Sequence, residues 1–202
     1  MPILCAEPDA YPEGLFDEAS PNAGPEQAWW VLHTRPRQEK SLARQLSAGR
    51  CPFYLPQVAR RLPRRGRILT SHVPLFPGYV FLLADREQRV TALATSRIVR
   101  CLPVADQEGM WRDLRHVQRL LHAGVPVTPE DRLAPGMTVE ITSGPLAGLR
   151  GRIVQTASRR RFVVAVDFIQ RGASVLLDDC RLAPAEADAP HPPGREARRG
   201  IA

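Results

Sequence analysis

Lysine is almost missing from this 202-residue chain: of its 28 Lys and Arg residues, only Lys40 is a lysine. The positive charge is therefore carried by guanidinium groups, which fork onto phosphates and base edges, and this favours a polyanionic partner. Cysteine is scarce and scattered. Cys5, Cys51, Cys101 and Cys180 form no C-x-x-C pair and no Cys/His cluster, so the spacing gives no metal site and free thiols are expected. No apolar run reaches the roughly 18 residues that a membrane span needs. The N-terminus lacks the basic and long apolar regions of a signal peptide. The expectation is a cytoplasmic monomer with no membrane association and no cofactor. His33, His72, His116, His122 and His191 make no motif with Ser, Cys or carboxylates, and no Gly-rich phosphate loop occurs. An enzyme is therefore not expected.

Basic residues are also missing from one end. Residues 1–26 hold no Lys or Arg and six carboxylates (Glu7, Asp9, Glu13, Asp17, Glu18 and Glu26), whereas residues 27–125 hold 17 Lys and Arg against six carboxylates. Segment 1–27 reads as an acidic disordered extension, because it shows no sustained apolar period. The 20 Pro and 14 Gly of the chain predict short elements and many turns.

The ordered part begins with a β-prone run, Ala28 to Thr34. Leu42 and Leu46 then share one face of a helix over Gln38 to Ala48. A strand over Phe53 to Ala59 leads to Arg60-Arg61-Leu62-Pro63-Arg64-Arg65-Gly66-Arg67, an Arg-dense hairpin tip suited to phosphate backbone. The Pro77-Gly78 pair predicts a type II turn into the apolar strand Tyr79 to Leu83. Asp85 and Asp106 cap helices over Arg86 to Ala94 and Gln107 to His122, with the strand Ile98 to Leu102 between them. The fold class is α+β: an N-terminal antiparallel sheet with packed helices over 28–124. A linker at 125–133 precedes short Gly-punctuated strands at 134–184, which read as a small β-barrel. Residues 185–202 read as a disordered tail.

Three segments together resemble the NusG family of transcription elongation factors. They are Trp29-Trp30-Val31-Leu32, then Leu75-Phe76-Pro77-Gly78-Tyr79-Val80-Phe81, then a KOW-like pattern from Pro135-Gly136 through Ser143-Gly144-Pro145-Leu146 to Gly151-Arg152-Ile153-Val154. The resemblance spans about residues 28–184 and makes the barrel an SH3-like KOW domain. It implies a non-catalytic elongation or antitermination factor that suppresses pausing or termination on bacterial RNA polymerase. On that resemblance His33, Tyr79 and Phe81 face the polymerase clamp helices. Arg89, Val90 and Thr91 fall near the opposing subunit. Arg35 and Arg97 face non-template or upstream DNA, and the hairpin residues Arg64 and Arg65 are also placed near DNA. Positions that read a DNA element in the specialised paralogue RfaH are here Gln45, Ala48 and Gly49. Phe168 and Ile169, at a strand end of the barrel, would meet a ribosomal protein or Rho. Ile169 and the terminal extensions resemble a specialised RfaH-like paralogue. The alternative reading is a ribosome-associated or RNA-binding KOW protein.

Overall fold

The computed structural model describes residues 7–17, 26–64, 67–130, 136–156, 159–176 and 182–184. The elements of the N-terminal half are β1 (Ala10–Tyr11), β2 (Ala28–Thr34), α1 (Glu39–Ala48), β3 (Phe53–Tyr54), β4 (Gln57–Arg64), β5 (Arg67–Pro74), β6 (Tyr79–Ala84), α2 (Arg86–Ala94), β7 (Ile98–Pro103) and α3 (Gln107–His122). The C-terminal half contributes β8 (Thr128–Glu130), β9 (Met137–Ile141), β10 (Arg150–Thr156), β11 (Arg159–Val166), a 3-10 turn (Asp167–Ile169), β12 (Arg171–Leu176) and β13 (Leu182–Pro184).

The first sheet has the order β1-β3-β6-β2-β7, antiparallel throughout. Its centre is β6, so both faces of that strand are covered. On one face Val80 and Leu82 of β6 and Leu32 of β2 meet Leu42, Ala43 and Leu46 of α1 and Ala92 of α2. On the other, Trp29, Val31, Phe81 and Leu83 meet Met110, Leu114, Val117 and Leu120 of α3. Those α3 residues recur every three or four positions and are buried, each contributing about 1.5–3 kcal/mol of apolar transfer. Asp85 closes a reciprocal capping box with Gln88, and Asp106 accepts from the Gly109 amide, as the sequence predicts for the two helix starts. The strand expected over Phe53 to Ala59 is broken at Leu55-Pro56 into β3 and β4. Pro56 has no amide hydrogen to offer a ladder.

The expectation of a disordered acidic extension is met by a different finding over 7–17. β1 pairs with β3, adding a strand to the sheet, and the Leu55 amide donates to the Asp9 carbonyl at 2.6 Å. Phe16 is 2% exposed. It lies parallel to Trp29 at 6.0 Å and edge-on to Tyr54 at 5.0 Å between ring centroids. Phe16 stands in an acidic, Pro-containing segment with no sustained apolar period to mark it as core, and only the tertiary contact identifies it. Residues 1–6 and 18–25 of that extension, and the tail 185–202, lie outside the described residues.

The second sheet has the order β13-β9-β10-β11-β12-β8. Part of the expected linker therefore belongs to the barrel, since β8 pairs with β12 through Thr128, Pro129 and Glu130. Gly151 is fixed by close approach: a Cβ there would lie 2.5 Å from the Val163 carbonyl oxygen and 2.7 Å from the Phe162 ring. The two halves share apolar core. Val139, Ile141, Phe162, Val164 and Val175 of the barrel join the cluster that contains α3 and the first sheet.

Candidate functional site

Everything expected of the first interface hangs on the turn from Phe76 to Tyr79. The Tyr79 amide donates to the Phe76 carbonyl at 3.1 Å, and Gly78 takes φ +86°, the left-handed value required at the third position of a type II turn. The exposed side of the peptide is held twice more. The Gly78 amide donates to Oε1 of Glu39 at 2.8 Å, and the Thr34 amide donates to the Gly78 carbonyl at 2.8 Å. Glu39 is itself 7% exposed and sits in the first turn of α1. That one carboxylate thus ties the turn to the helix.

The turn delivers Tyr79 opposite His33 in the β2–β6 ladder, with ring centroids 5.4 Å apart and planes at 44°. Both are half-buried. Phe81 differs from its expected surface position: it is fully buried and stands edge-on to Phe76 at 6.2 Å. Tyr79 and Phe81 do share a face, but α3 covers that face of the central strand. Only the residue emerging from the turn reaches the rim. The barrel also reaches this rim. The Arg171 guanidinium carbon lies 5.3 Å from the Tyr79 ring centroid, and Arg171 donates to the Pro77 carbonyl at 3.4 Å.

A second patch gathers Arg35, Gln38, Gln45 and Arg97. The Arg35 amide donates to the Arg97 carbonyl at 2.9 Å. Arg97 in turn donates through Nε to Gln45 Oε1 at 2.9 Å and through a terminal nitrogen to Gln38 Oε1. The two arginines expected near DNA are thus adjacent, with Ala48 at the end of α1 and Gly49 as its C-cap. In α2, the Arg89 guanidinium carbon lies over Trp30, 4.4 Å from the ring centroid. Val90 is 57% exposed, and Thr91 Oγ1 donates to the Glu87 carbonyl at 3.1 Å. Of these three side chains Val90 and Thr91 are open and Arg89 is half-buried. The Arg-dense segment forms the predicted hairpin, with Arg64 paired to Arg67 by register; Arg65 lies outside the described residues.

Phe168 and Ile169 occupy the 3-10 turn rather than a strand end. Phe168 is 39% exposed, whereas Ile169 packs against the core that α3 shares with the barrel. The neighbouring Asp167 amide donates to Asp113 of α3 at 3.0 Å, and Arg152 reaches the Asp167 carboxylate at 3.3 Å. Arg119 of α3 donates to the Ala147 carbonyl at 2.7 Å. Burial pushes the Asp113 carboxyl up to about 7, with the Asp167 amide opposing and the Asp167 carboxylate adding to the rise. Burial, then the guanidinium groups of Arg119, Arg150, Arg112 and Arg115, push His116 down to about 4. Sequence reading missed Glu39, Arg171 and Asp113. Their partners lie 39 to 94 positions away, and no local pattern encodes such pairs. Among the described residues no group of three or more His, Cys, Asp or Glu is placed to hold a metal ion, and no helix is long and apolar enough to cross a membrane.

Residues 27–126 match the family model described as transcription termination factor nusG. Among solved structures, the chain is similar to one of domain interaction in Thermotoga maritima NusG. The identity is 20%, the TM-score is 0.37, and the match covers 75% of this chain and 93% of that one. It is also similar to a chain of the MjSpt4:Spt5 complex at 16% identity and TM-score 0.26, covering 77% of this chain and 98% of that one. No curated protein matches.

Proposed function

Residues 27–126 belong to the NusG family, and from that premise we propose that this protein is a non-catalytic transcription elongation or antitermination factor. It binds the clamp helices of RNA polymerase through its N-terminal domain and suppresses pausing or termination. Binding that favours one polymerase conformation shifts the equilibrium toward it by the difference in affinity, and no bond chemistry is required. The observation that carries the reading is the Glu39-anchored turn, which presents Tyr79 and His33 together at the rim of the sheet. An aromatic in a rigid apolar setting is the usual interface anchor. Phe81 acts from beneath, bracing Phe76 and hence the turn.

The remaining surfaces fit the same role. Val90 and Thr91, with Arg89 behind them, meet the opposing polymerase subunit. Arg35, Arg97, Arg64 and Arg65 track non-template or upstream DNA. Phe168 of the KOW-like barrel, with Ile169 beneath it, meets a ribosomal protein or Rho. Because Arg171 lies over Tyr79, polymerase has to displace that guanidinium before it can use the ring. Ile169 and the N-terminal segment support a specialised paralogue over a general factor.

The test is co-purification with RNA polymerase. The wild-type chain is expected to bind, and Tyr79→Ala to lose at least about tenfold in affinity while remaining folded by circular dichroism. Unchanged binding of a folded Tyr79→Ala variant, or association with ribosomes and not with polymerase, overturns the reading.

A further inference from the structure

The register of β7 slips by one residue where it pairs with the end of β2. Thr34 pairs with Ile98 and His33 with Arg100, so Val99 is the extra residue of a β-bulge. A bulge bends its strand and re-aims the side chains beside it. Here Val99 is 56% exposed and Arg100 is exposed, between the half-buried Ile98 and Cys101. The register also brings Arg100 to the rim around Tyr79. His33 pairs with Tyr79 on one side and with Arg100 on the other, so the three side chains stand in one row on one face of the sheet. The imidazole in the middle is packed on the turn: a Cβ added to Gly78 would lie 3.5 Å from its Cδ2 and Nε2 atoms.

Charge says what this row lacks. Among the described residues the Arg100 guanidinium makes no hydrogen bond, ion pair or ring contact. The strands β2, β6 and β7 contain no Asp or Glu, and Glu39, at the turn, already accepts from the Gly78 amide. A surface that docks on the row therefore has to bring the anion with it. A carboxylate fits that role better than a phosphate. Arg97, proposed for DNA, reaches Gln38 and Gln45 at α1, and α1 covers the face of Leu32, Val80 and Leu82. By strand alternation His33, and with it Arg100, stands on the opposite face, so the sheet separates Arg100 from the DNA patch. Its neighbours are two rings and an exposed valine. Aromatic residues and Arg are the types enriched in protein interfaces, whereas phosphate backbone is met by runs of cations.

Spacing sets where the carboxylate sits. Neighbouring strands lie about 4.8 Å apart, so Tyr79 and Arg100 stand about 9.6 Å apart across β2. A helix laid across the strands rises about 1.5 Å per residue and spans that distance in about two turns.

We propose that Val99 and Arg100, delivered by the bulge, extend the Tyr79–His33 surface onto β7. Arg100 takes a carboxylate on the polymerase helix that covers Tyr79, about two turns from the residue seated on the ring. The assignment rests on the polymerase-binding function proposed above and adds to it the charge of the partner surface and the place of that charge.

The experiment measures the affinity of the full chain for bacterial RNA polymerase core enzyme, and separately for a DNA duplex, across a salt series. Wild-type binding to polymerase is expected to weaken as salt rises. Arg100→Gln should weaken it about five- to tenfold and flatten the salt dependence. Arg100→Glu should weaken it by more than about tenfold, and Arg100→Lys, which keeps the charge, should recover more than half of the loss. Val99→Ser should weaken it about threefold with the salt dependence kept. Duplex binding should match wild type in all four variants. These are exposed positions, so the urea midpoint should not move. Benzophenone crosslinkers introduced at positions 79 and 100 should capture sites about two turns apart on one polymerase helix, with an Asp or Glu at the second. Wild-type polymerase affinity in both Arg100→Gln and Arg100→Glu, while Tyr79→Ala still loses binding, overturns this assignment alone. So do adducts on a segment without a carboxylate. Loss of duplex binding in Arg100→Gln with polymerase binding intact makes the partner a phosphate and overturns it as well. A wild-type chain that does not bind polymerase refutes the elongation-factor reading itself.

Discussion

Glu39→Ala tests whether one carboxylate sets the geometry of the Phe76–Tyr79 turn, the surface proposed to meet polymerase. In the wild type Oε1 accepts from the Gly78 amide at 2.8 Å, at a position where Glu39 is 7% exposed. Truncation leaves that part-buried amide without its acceptor, a loss of about 1–3 kcal/mol. The carboxylate also lies in the first turn of α1, where a negative charge contributes about 0.3–1 kcal/mol against the helix dipole. The expected destabilisation is about 2–3 kcal/mol, which for a chain of this size lowers Tm by about 4–12 °C. Glu39→Gln keeps an acceptor oxygen and loses only the charge, so it should recover more than half of the loss. Urea unfolding followed by circular dichroism gives the free energies, and polymerase co-purification gives the functional consequence. Binding should fall in Glu39→Ala and return in Glu39→Gln, because Tyr79 follows Gly78 in the turn. A Glu39→Ala protein with wild-type stability and wild-type binding would refute the idea that this bond positions the turn. Equal losses in both variants would show that charge, and not the hydrogen bond, is what matters.

Phe16→Ala should cost about 3–5 kcal/mol in urea unfolding, since the ring fills the space between Trp29 and Tyr54; a cost below about 1 kcal/mol would mean that the segment is an inert extension. Gly151→Ala should unfold or loosen the barrel, because the new Cβ meets the Val163 carbonyl oxygen at 2.5 Å; an unchanged spectrum of amide resonances from β10 and β11 would contradict that. The pH dependence has two opposed parts. Asp113, raised from 3.8 to about 7, contributes stability that is full below its ordinary value and lost as pH rises through about 7. His116, lowered from 6.5 to about 4, contributes stability that is full above 6.5 and lost as pH falls through about 4. The two slopes oppose each other between about 4 and 6.5. His116→Gln should therefore expose a fall in stability from pH 4 to 7, and Asp113→Asn a rise from pH 4 to 6.5; flat profiles in both variants would reject the assignments.

How much of this was legible in the sequence depends on the distance over which each feature is encoded. The capped starts of α2 and α3 are written in Asp85 and Asp106 and in the apolar spacing that follows them, and the structure follows both. The Pro77-Gly78 turn is equally local. Phe81 shows where period-two reasoning stops. It correctly sets Phe81 on the same face as Tyr79, but whether that face meets solvent depends on α3, which begins 26 positions beyond Phe81. Phe16 and β8 fall in segments whose sequence suggests tail and linker, because short elements with few apolar residues gain their stability from a partner strand or ring, and the partner is remote in sequence. Arg35 and Arg97, brought together in expectation by resemblance alone, lie adjacent through a backbone bond, and the ordering of Arg97 by Gln38 and Gln45 emerges only from the fold.

The same distinction separates the contacts made around the rim at Tyr79. Contacts that position the turn come from within the N-terminal domain: Glu39, Thr34 and the Phe76–Phe81 pair. Contacts that cover it come from the barrel, through Arg171. A cation over an exposed or half-exposed ring contributes about 0.5–1 kcal/mol, and the 3.4 Å bond to the Pro77 carbonyl is near the long end of useful geometry. The cover is therefore weaker than the anchor, whose loss costs about 2–3 kcal/mol. A partner that competes for Tyr79 has to replace only the weaker set. It meets a turn whose shape is already fixed, so little ordering entropy opposes its binding. Arg171→Ala should accordingly tighten polymerase binding by about two- to fivefold without altering the turn. Weaker binding in that variant would mean that Arg171 belongs to the interface rather than to its cover.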